Sequence, residues 1–143
     1  MFELLLYLHF LHMLSINPKE IEIPKLHRYL LGSIGPRPIA FASTVDKQGN
    51  VNLAPFSFFN VFSANPPVLI FSPARSGRTN TTKDTYNNVK NIPEAVINVV
   101  NHDMVHQMSL ASSPYPSDVS EFENSRSPPI DSQLTTPPRV KES

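Results

Sequence analysis

Apolar positions along the chain switch between a helical period and a strand period. Lys25–Ile34 places Leu26, Tyr29, Leu30 and Ile34 at helical spacing, which predicts a short helix ended by Gly32, Gly35 and Pro36. Arg37–Val45 (RPIAFASTV) then alternates with period two. Ile39, Phe41 and Ser43 face one way, and the smaller Ala40, Ala42 and Thr44 face the other. Small side chains let a flat group or a second backbone approach closely. Asp46–Asn50 (DKQGN) predicts a hairpin turn with Gly49 in the left-handed region, and Val51–Ala54 returns as the partner strand. Asn17-Pro18 and Ile23-Pro24 are expected to break the preceding chain into short extended pieces.

Pro55–Pro67 (PFSFFNVFSANPP) is aromatic, rich in hydroxyls and nearly free of charge, and reads as a long loop. Burying each of Phe56, Phe58, Phe59 and Phe62 is worth about 2 kcal/mol, so they will not all face water. Two readings stand: core packing under a long connection, or a wall for a planar ligand with Ser57 and Asn60 as polar contacts. Val68–Ser72 is a short buried strand, Thr81–Ile92 a helix stopped by Pro93, and Glu94–Val100 a strand rich in β-branched residues. A last helix, capped by Asp103, runs through Ser112. The order predicts a mainly β fold with helical insertions, a small antiparallel barrel rather than a doubly wound parallel sheet.

Composition narrows the function. The chain has 143 residues, 12 basic and 12 acidic side chains and zero net charge, which argues against broad nucleic-acid binding. No cysteine is present, so thiolate sites and disulfides are excluded and a cytoplasmic setting is expected. No apolar span approaches the roughly 18 residues of a membrane helix. Met1–Leu14 is apolar but carries Glu3 where a signal peptide needs basic residues. Translation starting at Met13 accounts for it best, making 1–12 a non-native or disordered extension. A targeting role or a short amphipathic helix are the alternatives. Of the 15 prolines, Pro114, Pro116, Pro128, Pro129, Pro137 and Pro138 crowd the last thirty residues, so 123–143 is expected to be a disordered Pro/Ser-rich tail after a domain over 13–122.

Candidate chemistry gathers in Val68–Thr85, VLIFSPARSGRTNTTKDT. Ser76–Gly77 permits a tight turn, and Arg75, Arg78 and Lys83 bring positive charge. Thr79, Asn80, Thr81 and Thr82 lead into a helix start, where N–H groups and the macrodipole favour an anion. The same pattern also describes an ordinary strand–loop–helix connection with a solvated basic turn. His102 and His106 share a helical spacing but lack a third ligand, so no metal site is expected. No phosphate-loop, nucleophile-elbow or paired-carboxylate signal occurs, and no catalytic side chain is assigned.

The run YLLGSIGPRPIAFASTVDKQGNVNLAPFSFFNVFSANPPVLIFSPAR resembles the flavin reductase-like family, FMN-binding split-barrel proteins of the flavoredoxin and nitrilotriacetate monooxygenase component B type. The likeness continues through NTTKDTYNNV, AVINVVN and MVHQMSLASSPYP, covering Met13–Phe122, and resumes weakly at PPRVKES. It implies a Greek-key split β-barrel that forms a homodimer and holds FMN near the subunit interface. It also implies hydride transfer from NADH or NADPH to flavin, feeding a flavin-dependent monooxygenase or another electron acceptor. By position, Arg37, Pro38 and Thr44 are expected along the flavin. Ser57, Phe58, Phe59 and Asn60 are expected at its ring or ribityl side, and Ser72, Arg75, Thr82, Lys83 and Thr85 at its phosphate. Members continue beyond PPRVKES, and NSRSPPIDSQLTT departs from their pattern, so an incomplete barrel is expected. A non-catalytic FMN-binding electron carrier and a truncated inactive fragment are the alternatives.

Overall fold

The computed structural model describes residues 14–76, 79–116 and 119–143. The expected extension 1–12, Gly77 of the expected Ser76–Gly77 turn and the cation Arg78 lie outside the described residues. The chain divides into two compact units, Met1–Gly35 and Pro36–Ser143. In the first, helix α1 spans Ile23–Ser33. Pro24 sits in its first turn rather than breaking the chain, because a first-turn residue has no intrahelical N–H bond to lose. No helix among the described residues is long and apolar enough to cross a membrane.

The second unit is built on a hairpin. Strand β1 (Ala40–Val45) pairs antiparallel with β2 (Val51–Phe56), from Val45↔Val51 to Ala40↔Phe56. Asp46 organises the turn: its Oδ1 accepts from the N–H groups of Gln48 and Asn50, and its Oδ2 accepts from Asn50 Nδ2. These bonds, led by that of the Asn50 side chain, hold the Asp46 carboxyl below its ordinary value. Gly49 takes φ +88°, the left-handed conformation that the turn requires. Pro55 is tolerated in β2 because that strand lies at the edge of the three-stranded sheet β2-β1-β5, where β5 is Val96–Val99.

Every residue of β1 is buried, and its two faces have separate cores. Phe41 packs with Leu53, Met104, Ala111, Phe122 and Val140. On the opposite face Ala40 and Ala42 are covered by Phe56, with Ala54, Phe59, Phe71 and Ile97 packed around them. The flat groups that approach the small face are therefore the chain's own phenylalanine rings.

Pro55–Pro67 differs from the expected loop. It contains the end of β2 and a further strand, β3 (Phe59–Ala64), which pairs antiparallel with β4 (Pro67–Phe71) through a bulge at Phe62. Aromatic and β-branched residues with little charge favour a strand here, and the prolines confine themselves to its flanks. Helix α2 spans Asp84–Asn91, shorter than its apolar spacing suggested. A 3-10 turn (His102–Met104) leads into α3 (Val105–Ala111), capped by Asn101, whose Oδ1 accepts from Met104 N–H at 3.1 Å, rather than by Asp103.

Residues 123–143 are not the disordered tail that their composition suggested. After α4 (Glu121–Asn124), β6 (Pro129–Ile130) and β7 (Arg139–Val140) form a small hairpin. Val140 is 1% exposed in the Phe41 core. Its N–H donates to Asn98 Oδ1 at 2.8 Å, and Ser43 Oγ donates to the Pro138 carbonyl. Long-range packing overrides the local preference of a proline-rich segment for extended chain. The three sheets β2-β1-β5, β3-β4 and β6-β7 are separate, so no closed barrel forms among the described residues.

Candidate functional site

The site grows from the junction between the two larger sheets. Ser57 and Phe58 make the corner between β2 and β3, and Ser72 N–H donates to Phe58 carbonyl at 2.9 Å just after β4. Phe59 pairs with Phe71 across the β3–β4 ladder. The Phe71 ring lies 5.4 Å from that of Phe56, tilted by 36°. Phe56 in turn lies beneath Lys83, whose Nζ is 5.1 Å from the ring centroid. An ammonium over an aromatic face is held by the ring quadrupole while keeping outward N–H donors. Lys83 is also the N-cap residue of α2, and its side chain makes no capping bond. Ser72, Phe58, Phe59 and Lys83 are thus gathered through Phe56 and Phe71.

The loop between β4 and α2 is ordered by its own side chains. Arg75 Nε donates to Asn80 Oδ1 at 2.8 Å, and Nη2 donates to the Asn80 carbonyl. Asn80 stands at φ +54°, a conformation that asparagine accepts more readily than most residues. Asn80 N–H donates to Ser76 carbonyl at 2.8 Å and Ser76 N–H to Thr81 carbonyl at 3.0 Å, closing the turn. Arg75 therefore shapes this loop, and part of its donor fork is occupied within it. The hydroxyls of Thr79 and Thr81 share a hydrogen bond of 2.8 Å, and Thr82 Oγ1 donates to Asn87 Oδ1 at 3.0 Å. All three threonines are exposed.

Other expected site residues have different surroundings. Arg37 is half-buried and Pro38 exposed on the approach to β1. Asn60 is exposed on β3, its Oδ1 accepting from Val61 N–H at 2.8 Å. Thr44 and Thr85 are both buried in the seam between α2 and the hairpin. Thr85 Oγ1 accepts from Asn52 Nδ2 at 2.9 Å, and Thr44 Oγ1 accepts from Asn88 Nδ2 at 3.1 Å. Those two hydroxyls hold elements together instead of opening onto a groove. Sequence reasoning missed Asn52 and Asn88. The signals were available: residues 44 and 52 flank the turn symmetrically, and 85 and 88 lie three apart on one helix.

The donor set suits a ligand with a planar body and an anionic end. A cation at a helix N-terminus and exposed threonine hydroxyls recognise phosphate-like groups, and the phenylalanine cluster offers an apolar wall.

Residues 32–143 match the family described as flavin reductase like domain. A protein of Aquifex aeolicus (strain VF5) is 40% identical over 124 residues, which is 87% of this chain and 63% of that protein. Among solved structures, nitrilotriacetate monooxygenase component B from Bacillus cereus superposes with a TM-score of 0.84 at 37% identity, covering 92% of this chain and 64% of that one. A protein with a split barrel domain from Shewanella frigidimarina NCIMB 400 gives 0.73 at 26% identity, over 92% and 65% of the two chains. The chain spans 59–63% of the length of three curated relatives that it matches.

Proposed function

The chain belongs to the flavin reductase-like family, and from that premise we propose that it binds FMN and passes hydride from NADH or NADPH to the flavin, delivering reduced flavin or electrons to a partner. The observation that carries this reading is Lys83, held over Phe56 at the N-terminus of α2 beside the Ser72–Phe58 junction. There Lys83 and the exposed Thr82 would hold the phosphate, with Ser72 close to that end and Arg75 keeping the loop in shape. Ser57, Phe58, Phe59 and Asn60 would face the ring and ribityl chain, and Arg37 and Pro38 the approach to β1. Thr44 and Thr85 would contribute through the position of α2.

The redox chemistry supplied by bound FMN is acceptance of a hydride from reduced nicotinamide. The protein's share is to bind, orient and exclude water, so no acid–base pair is required of it. A homodimer is part of the proposal, as is an oxygenase recipient. The latter draws support from the name of the Bacillus cereus neighbour, a component of a monooxygenase.

The test is direct. Purified protein given FMN should take up flavin, and NADH or NADPH should then be oxidised in an FMN-dependent way. Protein that takes up no FMN would overturn the reading. Flavin uptake without nicotinamide oxidation would leave an electron carrier in its place.

A further inference from the structure

Four polar side chains are buried where α2 meets the β1–β2 hairpin: Thr44, Asn52, Thr85 and Asn88. Thr44 and Asn52 face each other across the ladder. Thr85 and Asn88 lie three apart on α2 and so share a face. Two hydrogen bonds link the pairs in opposite senses. Asn52 of the hairpin donates to Thr85 of the helix at 2.9 Å, and Asn88 of the helix donates to Thr44 of the hairpin at 3.1 Å.

An apolar seam of this size would hold the helix as firmly, since exchanging both partners of a buried hydrogen bond for apolar groups is nearly neutral. It would not fix the helix as closely. Apolar contacts tolerate small slides and rotations, whereas either movement here would orphan two buried amides and two hydroxyls. The clamp therefore sets both the axial position and the rotation of α2. Lys83 stands two residues ahead of Thr85, at the N-cap, and its side chain makes no capping hydrogen bond to the helix start.

We infer that Asn52 and Asn88 are positioning residues for the phosphate end of the flavin site: they act through α2, aiming its N-terminus and Lys83, without touching the ligand. This inference rests on the FMN reading above.

Riboflavin, which lacks the phosphate, separates positioning from stability. Dissociation constants for FMN and riboflavin are measured by flavin fluorescence for the wild type, Asn52→Ala, Asn88→Ala and Asn91→Ala. The last removes an exposed α2 amide that bonds only its own helix. The wild type should prefer FMN by about tenfold or more, as expected for losing charge-assisted hydrogen bonds. Asn52→Ala and Asn88→Ala should each lose most of that preference, through weaker FMN binding with riboflavin binding held within about twofold. Asn91→Ala should keep it. Should an alanine variant fail to fold, the paired Thr44→Val/Asn88→Leu exchange leaves no orphaned group, and it too should lose the preference. Variants that melt earlier yet keep the wild-type ratio of FMN to riboflavin affinity would overturn the positioning role alone. A wild type that binds both flavins equally, or neither, would overturn the phosphate assignment and the inference with it.

Discussion

Asn98 uses both ends of a side chain that is 2% exposed. Its Nδ2 donates to Phe41 carbonyl at 2.9 Å, and its Oδ1 accepts from Val140 N–H at 2.8 Å, so one amide ties β5 to β1 and to β7. Asn98→Ala should orphan both backbone groups, at about 1–3 kcal/mol each, a loss that urea denaturation will read. Glu121 offers a different test. It lines a polar cleft with Asp46, Asn50, Val51, Asn52, Asp84 and Asn88. Burial raises its carboxyl above the ordinary value, with Asp84 adding to the rise, against the pull of its own N–H and that of Leu53. A carboxyl raised on folding contributes its full stability below the ordinary value of 4.5 and loses it as pH climbs through the raised one. Glu121→Gln keeps a neutral acceptor for Leu53 N–H. It should therefore be more stable than the wild type near pH 7, and the gain should vanish toward about pH 4. Denaturation midpoints at the two pH values check this, and a gain that ignores pH would contradict it. At the proposed phosphate end, Lys83→Ala should weaken FMN binding about tenfold or more while Lys83→Arg restores much of it, by fluorescence titration.

Among the elements, the β6–β7 hairpin is the smallest and yet reaches the core. Val140→Ala should cost about 2 kcal/mol, because the side chain is almost fully buried against Phe41, Leu53 and Phe122. A stability unchanged within error would mean that the hairpin does not seal that face. Nothing local marks this segment as ordered: Ser125 and Ser127 are buried and bonded to each other at 3.0 Å, and Pro137 is buried too. Residues that normally signal loops are placed inside by partners far along the chain. The β1–β2 hairpin was legible for the opposite reason. Its alternation of Phe41 and Leu53 against Ala40 and Ala42 reflects two unlike faces, and Asp46 and Gly49 announce its turn. Strand β3 was not legible, since Val61 and Phe62 are neighbours that are both exposed, and the bulge at Phe62 breaks the alternation of faces. In the candidate site, charge and helix-start chemistry pointed to Lys83, which stands at the N-cap of α2. The amide clamp escaped because its bonds join residues 33 and 44 positions apart.

For the unit Pro36–Ser143 as a whole, the unpaired surface matters most. Val61, Phe62, Leu69 and Ile70 leave the β3–β4 ladder with exposed apolar side chains, and Phe62 is 65% exposed. A ladder of two strands has marginal stability in water on its own, and clustered exposed apolar groups favour association. The separate sheets give the same sense, since β2 and β5 both end the central sheet as edges. Under the proposed homodimer, a second copy would cover part of this surface and supply part of the flavin groove. Phe62→Ser removes the most exposed ring of the ladder and leaves the Phe56–Phe71 ring contact in place. It should shift the protein toward monomer in sedimentation velocity, and FMN affinity should fall in step as dimer is lost. Restoring concentration should restore both together, because mass action links ligand binding to assembly when the site spans two copies. A variant that sediments as the wild type does would place the dimer contact elsewhere. A monomer that keeps full FMN affinity would show that one copy holds the flavin by itself, leaving the exposed β3–β4 surface no part in binding it.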